Sequence, residues 1–329
     1  SRVGGAVGSL GIASAGGTVS GVISGVDITV SAGNDHIGGV VGSMPENSSP
    51  TVENCIYTGK ITVTVAAGSV AGIVGYIRTG TIQNCANQGS ISVDVGGTGS
   101  VGGILGYCNN GRIYIRNCYN TGAISADGTD NVGAIVGQNK GTQATVSNCY
   151  YLTGSANQGQ GQLTTDAAGT VVKTADEFAS GEVTYLLNGS SSDSPVWYQN
   201  LDNGQDKDTY PVLDGSHGIV YCIEEDPVRY SNDPNATAEP TDISSATVTL
   251  NQSSFTYNGQ SQKPTVTVKL GDKTLTEGTH YTVTYSGDGI NAGTYTVTVT
   301  GKGSYSGEAS SKPTYTINPA TLTISGATL

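Results

Sequence analysis

Two short phrases alternate along the first half of this chain, and their spacing constrains the fold more than any other feature. The first is glycine-rich: VGGAVG at 3–8, IGGVVG at 37–42, VAGIVG at 70–75, VGGILG at 101–106 and VGAIVG at 132–137. Successive copies start 34, 33, 31 and 31 residues apart. The second phrase centres on Asn-Cys, with Cys55, Cys85, Cys118 and Cys149 spaced 30, 33 and 31 residues apart. A near-constant period of this size makes each repeat one unit stacked on its neighbours. Each unit holds short β-type runs such as IGGVVG, TVENCIY and KITVTV, with no helical periodicity. One coil of parallel strands per repeat is the simplest solution. Residues 1–155 are therefore expected to form a parallel β-helix, or β-solenoid, of about five coils.

In such a stack every sequence column becomes a ladder along the axis. The column before the cysteine holds Asn54, Asn84, Asn117 and Asn148, and Gly21 in the first unit. Asn and Gly share a tolerance of left-handed backbone, which predicts a corner of the coil and an Asn ladder from rung to rung. The cysteine column holds Val22 in the first unit. Valine can neither bind metal nor attack a substrate, so the column is read as small inward-facing side chains. Val52, Ile82, Ile115 and Val146 stand three positions before the cysteines. In a straight strand they would face the opposite side, and a corner at Asn lets both point inward.

The rest of the chain changes character. Residues 156–170 look like a loop leaving the last coil. TADEFASGEVTYLLNG at 174–189 is the best helix candidate, with Thr174 and Glu177 as a capping box and Gly189 as the stop. One helix over about 174–187 is expected, inside a small capping subdomain at 156–230 that closes the open end of the solenoid with Trp197, Tyr210 and Tyr221. Residues 231–242 read as a linker. Residues 243–318 alternate apolar or aromatic residues with Thr and Ser between turn signals, which predicts a small β-sandwich of six or seven strands. Residues 319–329 look like the start of a further module. The fold class is thus all-β throughout, apart from the capping segment.

With a formal net charge of −12 and pI about 4.5, the chain has no basic patch for nucleic acid. No stretch approaches a membrane span. The first residues, SRVGGAVG, already lie inside a repeat, as in a segment of a longer protein.

The paired phrases G-G-[IV]-[VL]-G and N-C-x-N-x-G-x-I, clearest in 70–91 and 101–124, resemble the GLUG-type repeat of large bacterial surface and secreted proteins. These include adhesin-like proteins and relatives of IgA-specific peptidases. The stretch FTYNGQSQKPTVTV, with LTEGTHYTVTYSGDGINAGTYTVTVTGKGSYSG and YTINPA, is similar to an Ig-like surface module of gut Gram-positive bacteria. Residues KTADEFASGEVTYLLNGS, VWYQNL and YPVLDG are similar to the stretch that often follows such repeats. The resemblance implies an extracellular, wall-anchored or surface-bound multidomain protein and supplies no catalytic residues.

Candidate sites are few. Stacked cysteines hold their Cβ atoms about 5 Å apart, wider than the roughly 3.8 Å a disulfide needs, so Cys55, Cys85, Cys118 and Cys149 are expected as thiols. Cys108 and Cys222 lie outside the column. Whether they are free, or Cys108 is bridged to Cys118, the spacing leaves open. Asp202, Asp206 and Asp208 near Gly204 resemble a calcium loop without the EF-hand order, and a solvated polar loop is the better reading. CIEEDP at 222–227 reads as surface charge. His36, His217 and His280 fall in three different modules, and no nucleophile motif accompanies them. The repeat carboxylates Asp27, Asp35, Glu46, Glu53, Asp94, Asp127 and Asp130 share no column. No catalytic, cofactor or metal residues are assigned, and the ligand-binding residues are unknown. The expected function is a non-enzymatic surface segment, an adhesin or a stalk, monomeric and facing a host glycan or an extracellular protein. The alternative is a carbohydrate-binding or polysaccharide-degrading β-helix, with Tyr119, Tyr150 and Tyr151 as a stacking platform if exposed.

Overall fold

The computed structural model describes residues 2–11, 16–45, 49–94, 99–109, 111–129, 131–140, 144–161, 168–201 and 206–321. The chain divides into two units: residues 1–223 with 229–235, and residues 224–228 with 236–329.

The first unit is a parallel β-helix. Its first coil contains β1 (Arg2–Gly4), β2 (Val7–Ser9), β3 (Thr18–Ser20), β4 (Ile23–Ser24) and β5 (Ile28–Val30). Each strand pairs in parallel with its equivalent in the next coil, as Val52 opposite Ile82 and Ile61 opposite Ile91 show. The β1, β2 and β3 columns hold five strands each, the β4 column six and the β5 column four. The expected five coils are therefore four complete ones and a partial fifth. The glycine phrase counts the turns from β1 to β2, and after Leu152 the chain stays bonded to Ile124 and Ile135 of the last coil without forming a fifth β5-type strand.

Contact geometry explains the recurring glycines. A Cβ on Gly38 would lie 2.0 Å from the Val41 carbonyl oxygen, and one on Gly102 would lie 2.0 Å from that of Leu105. At the next position a Cβ on Gly39 would meet the Gly72 carbonyl of the following coil at 2.2 Å. At the last, a Cβ on Gly75 would meet the Gly42 carbonyl at 2.6 Å. Backbone therefore packs on backbone, both within the turn from β1 to β2 and between coils; only the methyl groups of Ala71 and Ala134 replace glycine in the first two columns, and the last column is glycine in every coil.

The predicted corner is present. Asn54, Asn84 and Asn117 have φ of 53°, Asn148 has 51°, and Gly21 has 71°. The amides form a ladder: Asn84 Nδ2 donates to Asn54 Oδ1 at 3.2 Å, Asn117 to Asn84 at 3.3 Å, and Asn148 to Asn117 at 2.9 Å. After each corner the cysteine points inward beside Val52, Ile82 and Ile115, and all four cysteines are fully buried. A second, interior ladder follows, in which Asn87 Nδ2 donates to Asn120 Oδ1 at 2.7 Å.

The expected single helix is two. Ala175–Ala179 (α1) starts at Thr174, whose hydroxyl accepts from the Glu177 N–H while the Glu177 carboxylate accepts from the Thr174 N–H. The chain breaks at 180–181, and Glu182–Leu187 (α2) begins after Gly181. Gly181 has φ +92°, and a Cβ there would meet Leu201 at 2.6 Å. Only the first part of the segment lies on the solenoid's end, and the rest packs on its side. Phe178, Val183, Leu187 and Trp197 pack sideways on Ile56, Ala86, Tyr119 and Tyr150, the outward residues of the β4 column. At the end itself residues 158–161 bond to the backbone of Ala134, Ile135 and Val136, and Thr170–Lys173 adds a sixth β4-type strand whose Val172 remains 42% exposed. Tyr210 joins the lateral core, whereas Tyr221 begins the strand Tyr221–Glu225. Burying these large apolar side chains contributes roughly 1.5–3 kcal/mol each, which fastens the layer to the coil wall.

The stretch expected as a linker is ordered at both ends. The Asn232 side chain accepts from the Leu201 N–H at 2.7 Å and donates to the carbonyls of Gln199 and Ile219. Thr241–Asp242 forms a strand beside Tyr305–Ser306 in the second unit. That unit has one antiparallel sheet of Thr247–Leu250, Val266–Leu270 and Lys273–Leu275. Its other sheet contains Ser254–Thr256, Thr314–Asn318, Gly293–Gly301 and Tyr281–Tyr285. The two enclose one core that includes Val248, Val268, Val297, Val299 and Tyr315. Alternation of apolar residues with Thr places one face of each strand inside.

Candidate functional site

In most of the solenoid columns, side chains able to do chemistry are committed to the fold. Each column thiol donates to the carbonyl two residues before it: Cys55 to Glu53 at 3.1 Å, Cys85 to Gln83 at 3.1 Å, Cys118 to Arg116 at 3.2 Å and Cys149 to Ser147 at 3.2 Å. Burial pushes the thiols of Cys85, Cys118 and Cys149 well above the ordinary range, so they are poor nucleophiles. Cys55 goes the other way, lowered first by the neighbouring Cys85 side chain. Cys108 is also a buried thiol, aligned with Met44 and Ile77 at the end of β2-type strands, and burial raises it to about 11. Cys222 is a half-buried thiol.

The tyrosine platform of the carbohydrate reading is corrected by the same packing. Tyr119 and Tyr150 lie under the lateral layer and Tyr151 lies in the solenoid core. The Tyr119 hydroxyl donates to the Pro211 carbonyl at 2.6 Å and accepts from Gln88 at 2.7 Å. Its ring lies 5.2 Å from that of Trp197.

The carboxylates remain dispersed. Asp27 accepts from the Lys60 N–H at 2.8 Å, Glu53 from Gln83 at 2.6 Å and Asp94 from Ser92 at 2.8 Å. Asp127 lines a polar hollow of ≈ 470 Å³ beside the last β5-type strand, Ile124–Ala126. Glu46, Asp130, Asp202 and Gly204 lie outside the described residues. No group of three or more potential metal ligands occurs among the described residues. Among those residues no helix is long and apolar enough to cross a membrane.

Two surface sites have more shape. One joins residues separated in sequence: His217 Nδ1 lies 2.6 Å from Asp208 Oδ2, which also accepts from the Asn200 N–H at 2.7 Å. Asn200 Oδ1 accepts in turn from the Gly218 N–H at 2.8 Å. Asp206, Lys207 and Ser216 complete the rim of a shallow hollow of ≈ 560 Å³. This cluster ties residues 200, 206–208 and 216–218 together, and its polar contacts are internal ones. Sequence spacing alone does not bring Asp208 and His217 together, because the turn between them sets their distance. His280 makes a similar tie in the second unit, with Nδ1 accepting from the Thr276 N–H at 2.8 Å and Nε2 at 3.1 Å from Asp226.

The other site is a cleft of ≈ 480 Å³ between the first coil and the lateral layer. Gly21, Ile23 and Asn54 form one wall, and Pro195, Val196, Tyr198, Leu213 and Asp214 form the other. It exists because the lateral layer covers Ile56, Ala86, Tyr119 and Tyr150 but stops short of Ile23, which is 70% exposed. Sequence reasoning missed this site. Its signal is the apolar residue after the cysteine in each later coil, which points outward and needs a cover.

No protein-family model matches this chain, and no curated protein matches it. It is similar to a solved crystal structure described as a "putative immunoglobulin A1 protease from Bacteroides ovatus", with 20% sequence identity and a TM-score of 0.43. The likeness covers 62% of this chain and 61% of that one, so this chain spans less than two thirds of that protein's length.

Proposed function

We propose that this chain is a non-enzymatic segment of a bacterial cell-surface protein, extracellular and monomeric, acting as an adhesin or as a stalk that presents other domains. The supporting observation is the use made of the coil columns. Asn amides bond to Asn amides, thiols to carbonyls and glycines to neighbouring backbone, which gives a stiff rod whose reactive groups are spent on stacking. The second unit is an Ig-like module in this reading, and the GLUG-type character of the repeats belongs to it as well. The facing partner is a host glycan or an extracellular protein. Protease shaving of intact cells, with a binding assay on host glycans and a product assay, tests it. Release of the segment with retained glycan or matrix binding and no turnover supports the proposal, and saccharide or peptide cleavage by the purified segment refutes it.

The carbohydrate-binding alternative keeps one supporting observation, the cleft beside Ile23. Its original tyrosine platform is buried.

A further inference from the structure

We propose that the cleft between the first coil and the lateral layer binds an N-acetylated amino sugar. This rests on the surface-protein reading above and names a ligand class for it. The Asn ladder carries the argument. Asn148, at one end, donates to the Leu186 carbonyl of the lateral layer at 2.8 Å. Asn54, at the other end, accepts at Oδ1 from Asn84, and the next residue in its column is Gly21, which has no side chain. Among the described residues the Asn54 Nδ2 therefore has no acceptor, and Asn54 lines the cleft.

An amide donor beside Ile23, Pro195 and Val196 suits a group with a carbonyl oxygen and a methyl side by side, as an acetamido group has. Tyr198 offers aromatic surface for a pyranose ring, and the exposed Asp214 carboxylate offers an acceptor for ring hydroxyls. The volume, ≈ 480 Å³, lies within the usual range for small-ligand sites, and so does the mix of apolar walls with a few polar groups. An extended peptide fits less well. The β4 edge it would pair with is only two residues long, Ile23–Ser24, so strand addition gains few hydrogen bonds.

Titration calorimetry of the whole chain with an N-acetylglucosamine tetramer and its de-N-acetylated counterpart tests the proposal. Saturable binding to the acetylated tetramer is expected, weakened at least about tenfold on removal of the acetyl groups. Ile23→Lys and Val196→Glu change exposed side chains, so each should weaken binding at least about tenfold with Tm unchanged. Equal affinity for both tetramers, or no binding to either, overturns the proposal. So does binding of an extended peptide library alone. Failure here leaves the stalk reading intact, whereas binding followed by cleavage of the sugar removes the non-enzymatic reading and leaves the cleft assignment standing.

Discussion

Asn84 is the most informative position in the solenoid, because one side chain serves two purposes there. It holds a left-handed corner at φ 53°, and it both donates to Asn54 and accepts from Asn117. Replacement by Ala removes two hydrogen bonds, at about 1 kcal/mol each, and forces a Cβ-bearing residue without a helpful polar group into the left-handed region, at roughly 1–2 kcal/mol. The expected loss is about 3–4 kcal/mol. Replacement by Gly loses the same two bonds but relieves the strain, against roughly 0.5–1 kcal/mol of extra chain entropy, giving about 2.5–3 kcal/mol. Valine, β-branched at positive φ, should be worst. Asn54→Gly should lose about 1 kcal/mol less than Asn84→Gly, since Asn54 has only one ladder bond. Urea unfolding of the first unit, followed by far-ultraviolet circular dichroism, measures the series. The required order of stability is Asn, Gly, Ala, Val. An Ala variant as stable as the Gly variant would refute the corner argument, and Asn54 costing as much as Asn84 would refute the ladder argument.

Three further outcomes follow from the packing. Gly75→Ala would place a methyl 2.6 Å from the Gly42 carbonyl oxygen and 2.7 Å from the Ile37 backbone, in a column that is glycine in every coil, and should cost about 2–3 kcal/mol in the same assay. Gly8→Ala, whose nearest contact is 3.3 Å, should cost far less. Cys118→Val should cost under about 1.5 kcal/mol, as a near-isosteric swap that the first coil already makes at Val22. Burial holds Cys85, Cys118 and Cys149 protonated well above the ordinary thiol range, whereas the unfolded thiols ionise near 8.5. Above that pH the unfolded chain has lost protons that the fold retains, so stability falls as pH rises, by up to about 1.4 kcal/mol per unit per thiol. Cys55, shifted downward, opposes this in part. Cys118→Val should therefore flatten the decline of Tm between about pH 9 and 10, and an unchanged slope would contradict the assignment. Tyr119→Phe should cost about 1–3 kcal/mol, because the Pro211 carbonyl and Gln88 amide each lose a partner. Faster proteolysis within 174–213 would show the loss falling on the lateral layer, and an unchanged cleavage rate would contradict that placement.

Much of the solenoid was legible because its columns repeat a backbone requirement instead of a residue. Asn and Gly share positive φ, and Cys and Val share inward packing, so one exception in each column exposed the rule for the rest. The capping box at Thr174 was equally legible, because its partners are three residues apart. What failed was long-range. A break at Gly181 depends on Leu201, which no local pattern predicts. The Asp208 and His217 pair depends on a turn that returns the chain upon itself. The number of closed coils depends on how the chain continues after Leu152, not on how often the glycine phrase recurs.

The position of the lateral layer was written in the sequence, in a place where composition gives no hint. If the cysteine points inward just after a corner, the next residue points outward. That outward column reads Ile23, Ile56, Ala86, Tyr119 and Tyr150, apolar or aromatic in every coil. A solvent-facing column would instead resemble Thr29, Thr62, Ser92 and Ser125, the outward residues of the β5 column. An apolar outward column must be covered, and the lateral layer covers it from Ile56 to Tyr150. Ile23 at one end and Val171 in the added sixth strand remain exposed, and Ile23 lies beside the one ladder amide that lacks an acceptor among the described residues. Interrupted cover and interrupted ladder coincide at the first coil because Gly21 ends the Asn column there while the opposite wall, at Pro195 and Val196, stands off from Ile23. The regularity that commits the repeat columns to stacking thus ends at the first coil, where an apolar wall and an open amide donor meet in the proposed sugar cleft.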